Sequence, residues 1–315
     1  MNRKTIPSLI AFSAVTAFAF HAVNRVCFST STLKNVLKED DSNYFEWRFG
    51  KIKYTKRGTG SPLLLIHDLI VGSSGYEYRK IVDDLSKDHE LYVLDLLGYG
   101  LSDKPNMTYT NYLYVQLILD FIKNVIGEKT DIVASGDSSS IAIMACHNDP
   151  ESIRNVILLN PQSLSRMNLS PNRQTRLMKF ILDLPVLGTF IYNMMTTKES
   201  FRKNFREELF YNRHSISEEM IAAYSEASHY PDYNAKYSYT SYVGRYMNTG
   251  MIHALKEINH CIYIVYGKGQ REIESITDHY IYFNSAVEKV GIEDSGHFPH
   301  IEKPDATLQQ LRIFL

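Results

Sequence analysis

From about residue 45 onward, short unbroken apolar runs alternate with longer stretches in which apolar residues recur every four positions. The runs Leu63 to Ile66, Leu91 to Leu94, Ile132 to Ala134, Val156 to Leu159 and Cys261 to Tyr266 are too short for buried helices. They lack polar alternation, so each reads as a strand covered on both faces. Between them, Leu113, Leu117, Phe121 and Val125 form one row, with Ile118, Ile122 and Ile126 beside it. That spacing predicts an amphipathic helix with a wide core face over 112–126. Further helices are expected over 76–85 and from Ile141 to Cys146. Residues 45–54 alternate loosely through a turn at Gly50, the pattern of an antiparallel strand pair. Alternating strands and helices demand a mostly parallel sheet with helices on both faces.

This rhythm stops near Gln162. For about ninety residues only helical runs occur, such as Arg176 to Leu182 and Glu218 to Ala227, before strand pattern resumes at Cys261. A last strand at Ala286 to Ile292 and a closing helix from about Asp305 follow. The organisation expected is therefore one core in two parts, 45–161 and 256–315, interrupted by a helical insertion over 162–255. A polar linker over 31–44 joins the core to an apolar segment over 1–30.

That first segment has Arg3 and Lys4 ahead of an apolar run from Ile6 to Phe20. A positive start and apolar middle suit a signal peptide, but bulky and charged residues follow where small ones should mark cleavage. Extended to Phe28 the run approaches the length of a bilayer span. An uncleaved N-terminal membrane anchor is the expectation, with a cleaved secretion signal as the alternative.

Composition narrows the function classes. A 315-residue chain can bury a full core, and 34 basic against 35 acidic residues leave no footprint for nucleic acid. The three cysteines are far apart; Cys146 and Cys261 sit in apolar runs and read as core fillers. No cluster has metal-ligand spacing, so neither a metal nor an organic cofactor is expected.

Two stretches carry the chemistry: Asp95 to Pro105, DLLGYGLSDKP, and Asp294 to Pro304, DSGHFPHIEKP. Together they resemble the α/β-hydrolase fold over roughly residues 45 to 315. The resemblance implies a helical cap inserted over the active site and a triad of nucleophile, histidine and acid. His297, directly behind Gly296, takes the base's place, with His300 as a packing or capping neighbour. The nucleophile belongs on a sharp turn between a strand and a helix, flanked by small residues. Here the turn reads ASGDSSS over 134–140, and an ungapped match to G-x-S-x-G puts Gly136 at the nucleophile's place. A shift of two residues selects Ser138, the preferred candidate; a shift of one selects Asp137, and Ser135 is a further alternative. The same run also suits a serine-rich helix start that caps its own amides.

The acid should follow the strand at 261–266, where the matching residue is Gln270, with Glu272, Glu274 or a carboxylate elsewhere in the fold as substitutes. Leu69, by position, and Ser139, after the nucleophile, would donate the oxyanion-hole amides. Asp68 stands where the family normally has glycine. The activity implied is Ser/His hydrolysis of an ester, less readily an amide or thioester, of a small apolar substrate under the cap. The tyrosines and methionines of the insertion, including Tyr192, Met194, Met195, Tyr211, Tyr237, Tyr239, Tyr242 and Tyr246, suit such a pocket. A non-catalytic binding protein on the same scaffold is the competing class, and a lyase a third.

Overall fold

The structure is a computed structural model that describes residues 5–39 and 41–315, with side chains from Phe18 onward. Arg3 and Lys4 lie outside the described residues. Eight strands form one sheet: β1 (Ser42–Trp47), β2 (Gly50–Arg57), β3 (Ser61–Ile66), β4 (His89–Leu94), β5 (Thr130–Ser135), β6 (Ile153–Leu159), β7 (Ile262–Gly267) and β8 (Val287–Ile292). Their order is β1-β2-β4-β3-β5-β6-β7-β8. β2 runs antiparallel to β1 and β4, and every other pairing is parallel. The expected hairpin is present, with Trp47 opposite Gly50.

The longer helices are α1 (Thr5–Ser31), α2 (Asn111–Phe121), α3 (Ser139–Asn148), α4 (Arg173–Asp183), α5 (Val186–Met195), α6 (Lys198–Asn204), α7 (Glu218–His229), α8 (Lys236–Val243), α9 (Ile273–Phe283) and α10 (Pro304–Phe314). α9 lies in a stretch where the apolar pattern had shown no element. The helix expected over 76–85 breaks into two short turns, Gly75–Tyr78 and Val82–Leu85. The helix expected over 112–126 ends its α-helical part at Phe121 and closes with one wider turn, capped by Gly127 at φ 76°.

Unbroken apolar strands are buried on both sides, which is why they show no alternation. Leu64 and Ile66 of β3 pack with Leu117, Phe121 and Ile141 on one face. Leu63 and Leu65 pack with Tyr78, Leu85, Leu308 and Leu311 on the other. Between β6 and β7 the chain forms helices only. A third apolar cluster, of Phe201, Phe205, Phe210, Met220, Ile221 and Tyr224, takes in Phe298 and Ile301 from the loop after β8. It fastens the inserted helices to the segment that carries His297.

One expectation needs correction, and the two segments ahead of the core prove to pack on the rest of the body. Cys261 is exposed rather than a core filler, while Cys146 is buried, and all three cysteines are free thiols. The linker over 31–44 does not hang free: Leu37 is buried against Ala223 and Ala227, and the Val36 amide donates to Glu226 at 2.7 Å. Lys53 holds Glu39 at 2.6 Å. Nor does the N-terminal segment project from the body as an isolated helix. Phe20 stacks on Phe190 at 4.2 Å, Phe28 meets His229 edge-on, and buried Asn24 accepts from the Asn193 side-chain amide. Among the described residues, no single helix is long and apolar enough to cross a membrane. Removing residues 1–30 should therefore uncover Phe190, Asn193 and His229, which pack against α1. The truncated chain should keep its far-ultraviolet dichroism but melt several degrees lower, about the effect of losing 1–3 kcal/mol of apolar burial.

Candidate active site

The site is built where β3, β5 and β8 end, on the carboxyl edge of the parallel strands. β5 leads into a tight turn at Gly136, whose φ of 54° is a left-handed conformation costly for other residues. Helix α3 follows directly. The sharp strand-to-helix turn is thus centred on Gly136 itself, the position given by the ungapped match. The glycine is doubly required, because a β-carbon there would collide with the carboxylate of Asp68.

Asp68 reaches this position from the end of β3, and its backbone is fixed from two sides. His67, fully buried, donates from Nδ1 to the Asp68 carbonyl at 2.6 Å, and its Nε2 accepts from the Leu96 amide at 3.0 Å. Burial lowers the pKa of His67, in keeping with a neutral ring in these two bonds. Asp95, from the first of the two diagnostic stretches, accepts from the amides of Gly75 at 2.7 Å and Leu101 at 2.8 Å. That stretch therefore clamps the loop after β3.

The Asp68 carboxylate is placed by both its oxygens. Oδ1 accepts from the Leu69 amide at 2.6 Å and the Asp137 amide at 2.9 Å. Oδ2 lies 2.7 Å from Nε2 of His297. His297 is itself held through its backbone amide, which donates to the Leu209 carbonyl at 2.7 Å, and through its ring edge against Phe298. A carboxylate thus occupies both the amide pair and the space over the strand-to-helix turn.

These positions redistribute the sequence candidates. Ser138 is not brought to His297: it is fully buried in the turn before α3, and its hydroxyl donates to the His67 carbonyl at 2.6 Å. Ser139 is buried and supplies no amide to the pair, which consists of Leu69 and Asp137 instead. Ser135 is buried, with no hydrogen-bond partner for its hydroxyl among the described residues. Asp137 contributes its amide to the pair and its side chain to the cavity wall. Its carboxyl pKa is raised by burial and then by Asp68, against the pull of Arg166 and Tyr242. Gln270 lines the cavity, as the acid's place should, but carries no charge. Glu272 and Glu274 are exposed, and Glu274 accepts from Tyr266. Neither has moved to His297. The carboxylate that has done so is Asp68, and it meets Nε2, the nitrogen a nucleophile would face. Sequence reading missed this role, although an aspartate in a glycine's place beside a glycine in a nucleophile's place was a paired signal.

The cavity above measures about 460 Å³. Its walls include Asp68, Asp137 and His297 from the core, Phe201 and Leu209 from the insertion, and Tyr239 and Tyr242 on α8. The Tyr242 hydroxyl accepts from Arg166 at 2.8 Å and faces the Asp137 carboxyl; burial first, and then the Asp137 charge, raises its pKa well above the ordinary phenol value against the pull of Arg166. Behind Asp68 lies a second, sealed polar group. Glu77 is fully buried, accepts from the Asp68 amide at 3.2 Å, and stands 3.7 Å from Nε2 of His300. Burial and then the Asp68 charge push the Glu77 pKa well above its ordinary value. Burial pushes His300 down to about 3, so its role is packing, stacked on Tyr78 at 5.1 Å.

Two tests follow from this packing. Gly136→Ser should destabilise the fold by about 1–3 kcal/mol through collision with Asp68. Adding Asp68→Gly should return most of that loss, a coupling that a double-mutant cycle in urea would measure. The second test concerns Glu77, whose folded pKa lies above its ordinary 4.5. The folded chain then keeps a proton that the unfolded chain releases, so stability is lost as pH rises above about 4.5. Glu77→Gln removes that loss and should raise the urea midpoint at pH 8 relative to the parent, with little gain at pH 5. His300 acts oppositely, costing stability as pH falls from its ordinary 6.5 toward 3.

Comparison with known proteins agrees with this architecture. Residues 63–310 match the model of the alpha/beta hydrolase family. The 2-hydroxy-6-oxo-6-(2'-aminophenyl)hexa-2,4-dienoic acid hydrolase of Metapseudomonas resinovorans is 28% identical over 104 residues, 31% of this chain and 35% of the relative. The match thus spans about a third of that relative's length. Epoxide hydrolase 1 of Caenorhabditis elegans is 23% identical over 219 residues, 68% of this chain and 48% of the relative. The solved Cif epoxide hydrolase of Acinetobacter nosocomialis has the same fold, with a TM-score of 0.71 at 17% identity, covering 93% of this chain and 96% of that one. On the family match over most of its length, joined to the sheet order and the strand-to-helix turn after β5, the chain belongs to the alpha/beta hydrolase family.

Proposed function

We propose that this protein is a hydrolase whose attacking group is the Asp68 carboxylate and whose base is His297. Its substrate class is small, largely apolar molecules with an electrophilic saturated carbon, and epoxides suit the cavity best. The observation that carries this reading is the placement of Asp68, with one oxygen in the amide pair of Leu69 and Asp137 and the other on His297.

Hydrolysis of an ester by a serine needs an empty amide pair to receive the substrate's oxyanion. Here the pair already holds a carboxylate oxygen, and among the described residues no serine is hydrogen-bonded to the His297 ring. Attack on a saturated carbon has no such need. Asp68 Oδ2 forms a bond to the carbon as the carbon–oxygen bond of the epoxide breaks, and Oδ1 remains in the amide pair as the carbonyl oxygen of the new ester. The departing alkoxide takes a proton from Tyr242, whose hydroxyl is polarised by Arg166. Water then attacks Cγ of Asp68, His297 takes its proton, and the charge that develops on Oδ1 is held by the same two amides. As the ester bond breaks, His297 gives its proton to the departing alkoxide, and the proton left on the new Asp68 carboxyl returns to the Tyr242 phenolate, so the sum is epoxide plus water giving a diol. Epoxide hydrolase 1, one of the sequence relatives, bears that activity in its name.

Gly136 favours one other reading, a binding protein that has given up its nucleophile, and a single experiment separates the two. His297→Gln should still be alkylated but release product slowly. Incubated with styrene oxide or 1,2-epoxyoctane, this variant should gain the mass of one epoxide on the peptide containing Asp68. Asp68→Asn should lower turnover on the order of 10⁴-fold, whereas Ser138→Ala should leave it within about tenfold. If no adduct forms and neither epoxide is consumed by the parent, the binding reading stands instead.

A further inference from the structure

Helix α4 is inside out. A helix on the surface of a soluble body normally turns its apolar stripe inward and its charges to water. In α4, Thr175 and Lys179 point inward, each 9% exposed, while Leu177, Met178, Phe180 and Ile181 face outward, with Phe180 63% exposed. Apart from buried Leu182 in the last turn, the inward face is a polar seam. Lys179 Nζ pairs with Asp183 at 2.6 Å, and Thr240 donates to the other oxygen of Asp183 at 2.7 Å. Buried Lys236 donates to the carbonyls of Asp183 and Leu184 and to the Thr189 hydroxyl. This seam fixes the rotation of α4 about its axis, so its apolar face cannot roll inward without breaking several buried bonds. Leu187, at the start of α5, extends the exposed apolar surface.

Charge and continuity identify what covers that face. Residues 161–182 contain no acidic residue; of their four basic ones Arg166 is engaged by Tyr242 and Lys179 by Asp183, which leaves Arg173 and Arg176 for an outside partner. Arg173 and Arg176 are exposed on α4 itself. A second copy laid on this face would bring like charges together with no carboxylate from the segment to meet them. Lipid phosphates meet them directly, at about 1 kcal/mol per basic residue near an anionic surface. α4 is followed by α5 at an angle of 101°, and α5 is the helix on which Phe20 and Asn24 of α1 pack. α1 carries the apolar run from Ile6 to Phe20, which has no charged side chain among Asp, Glu, Lys and Arg. The apolar helix α1 and the outward apolar face of α4 thus belong to one part of the molecule, and among the described residues no single helix is long and apolar enough to cross a bilayer.

We propose that the outward face of α4, with α1 beside its successor helix, docks on an anionic lipid bilayer and lies in its interface. The arrangement is peripheral: each helix adds apolar area, and the arginines add the charge attraction that makes paired signals sufficient for stable attachment. The inserted helices that roof the cavity would then sit at the water–lipid boundary, where apolar substrates concentrate.

Phe180→Trp in the full-length chain tests this, with the buried Trp47 signal of the parent subtracted. On vesicles of phosphatidylcholine with phosphatidylglycerol and brominated acyl chains, emission of the new tryptophan should shift to the blue and be quenched. Leu177→Glu with Phe180→Glu, both at exposed positions and so harmless to folding, should weaken vesicle binding at least about tenfold. Unshifted, unquenched emission from a chain that still sediments with vesicles would overturn the proposal, since α1 alone would then be holding it. So would failure to sediment with vesicles at all. Concentration-dependent dimerisation abolished by Phe180→Glu would overturn it in favour of a second copy as the occupant.

Discussion

The site depends on one buried carboxylate held by both oxygens. Asp68 satisfies two amides that would otherwise be orphaned at the head of a strand-to-helix turn, and it also faces His297. Buried charge is costly unless paired and hydrogen-bonded, and here three contacts offset that cost. Gly136 follows from this. With the volume above the turn filled by carboxylate, only a residue without a β-carbon fits there. The same geometry leaves Glu77 behind Asp68 with a raised pKa, first through its own burial and then through the neighbouring Asp68 charge.

Much of the surrounding polar structure serves to hold that carboxylate still. His67 fixes the Asp68 carbonyl, Asp95 fixes the loop beyond it, and Ser138 ties the turn after β5 to the His67 carbonyl. The third apolar cluster fixes His297 by seating Phe298 and Ile301 among the inserted helices. The insertion is thus both roof and buttress: it lines the cavity with Tyr239 and Tyr242 and positions the histidine from below. Its outer side obeys a different constraint. The polar seam of Lys179, Asp183, Lys236 and Thr240 fixes α4 with its apolar residues in solvent, a surface that water alone does not favour.

The strands could be found from the sequence because burial on both faces leaves unbroken apolar runs, and this holds for any sheet sandwiched between helices. The mostly parallel sheet and the place of the helical insertion followed from the order of those runs, whereas the spatial order of the strands did not. His297 was legible because its loop has a distinctive local pattern of glycine, histidine and proline. The helix α9 was less legible, since its buried residues Ile273, Thr277 and Tyr280 include few large aliphatic side chains.

By itself, the sequence determined the architecture, the histidine that stands in the base's place and the absence of a side chain at Gly136, all properties of local pattern. It could not determine which carboxylate meets that histidine, because Asp68 and His297 are 229 positions apart and their contact exists only once β3 and β8 end on the same edge. Nor could it assign Ser138, since a hydroxyl near the right motif becomes a nucleophile or a structural donor according to where a turn points it. Tertiary structure decided both, by a φ of 54° at one glycine and by the direction of one aspartate side chain.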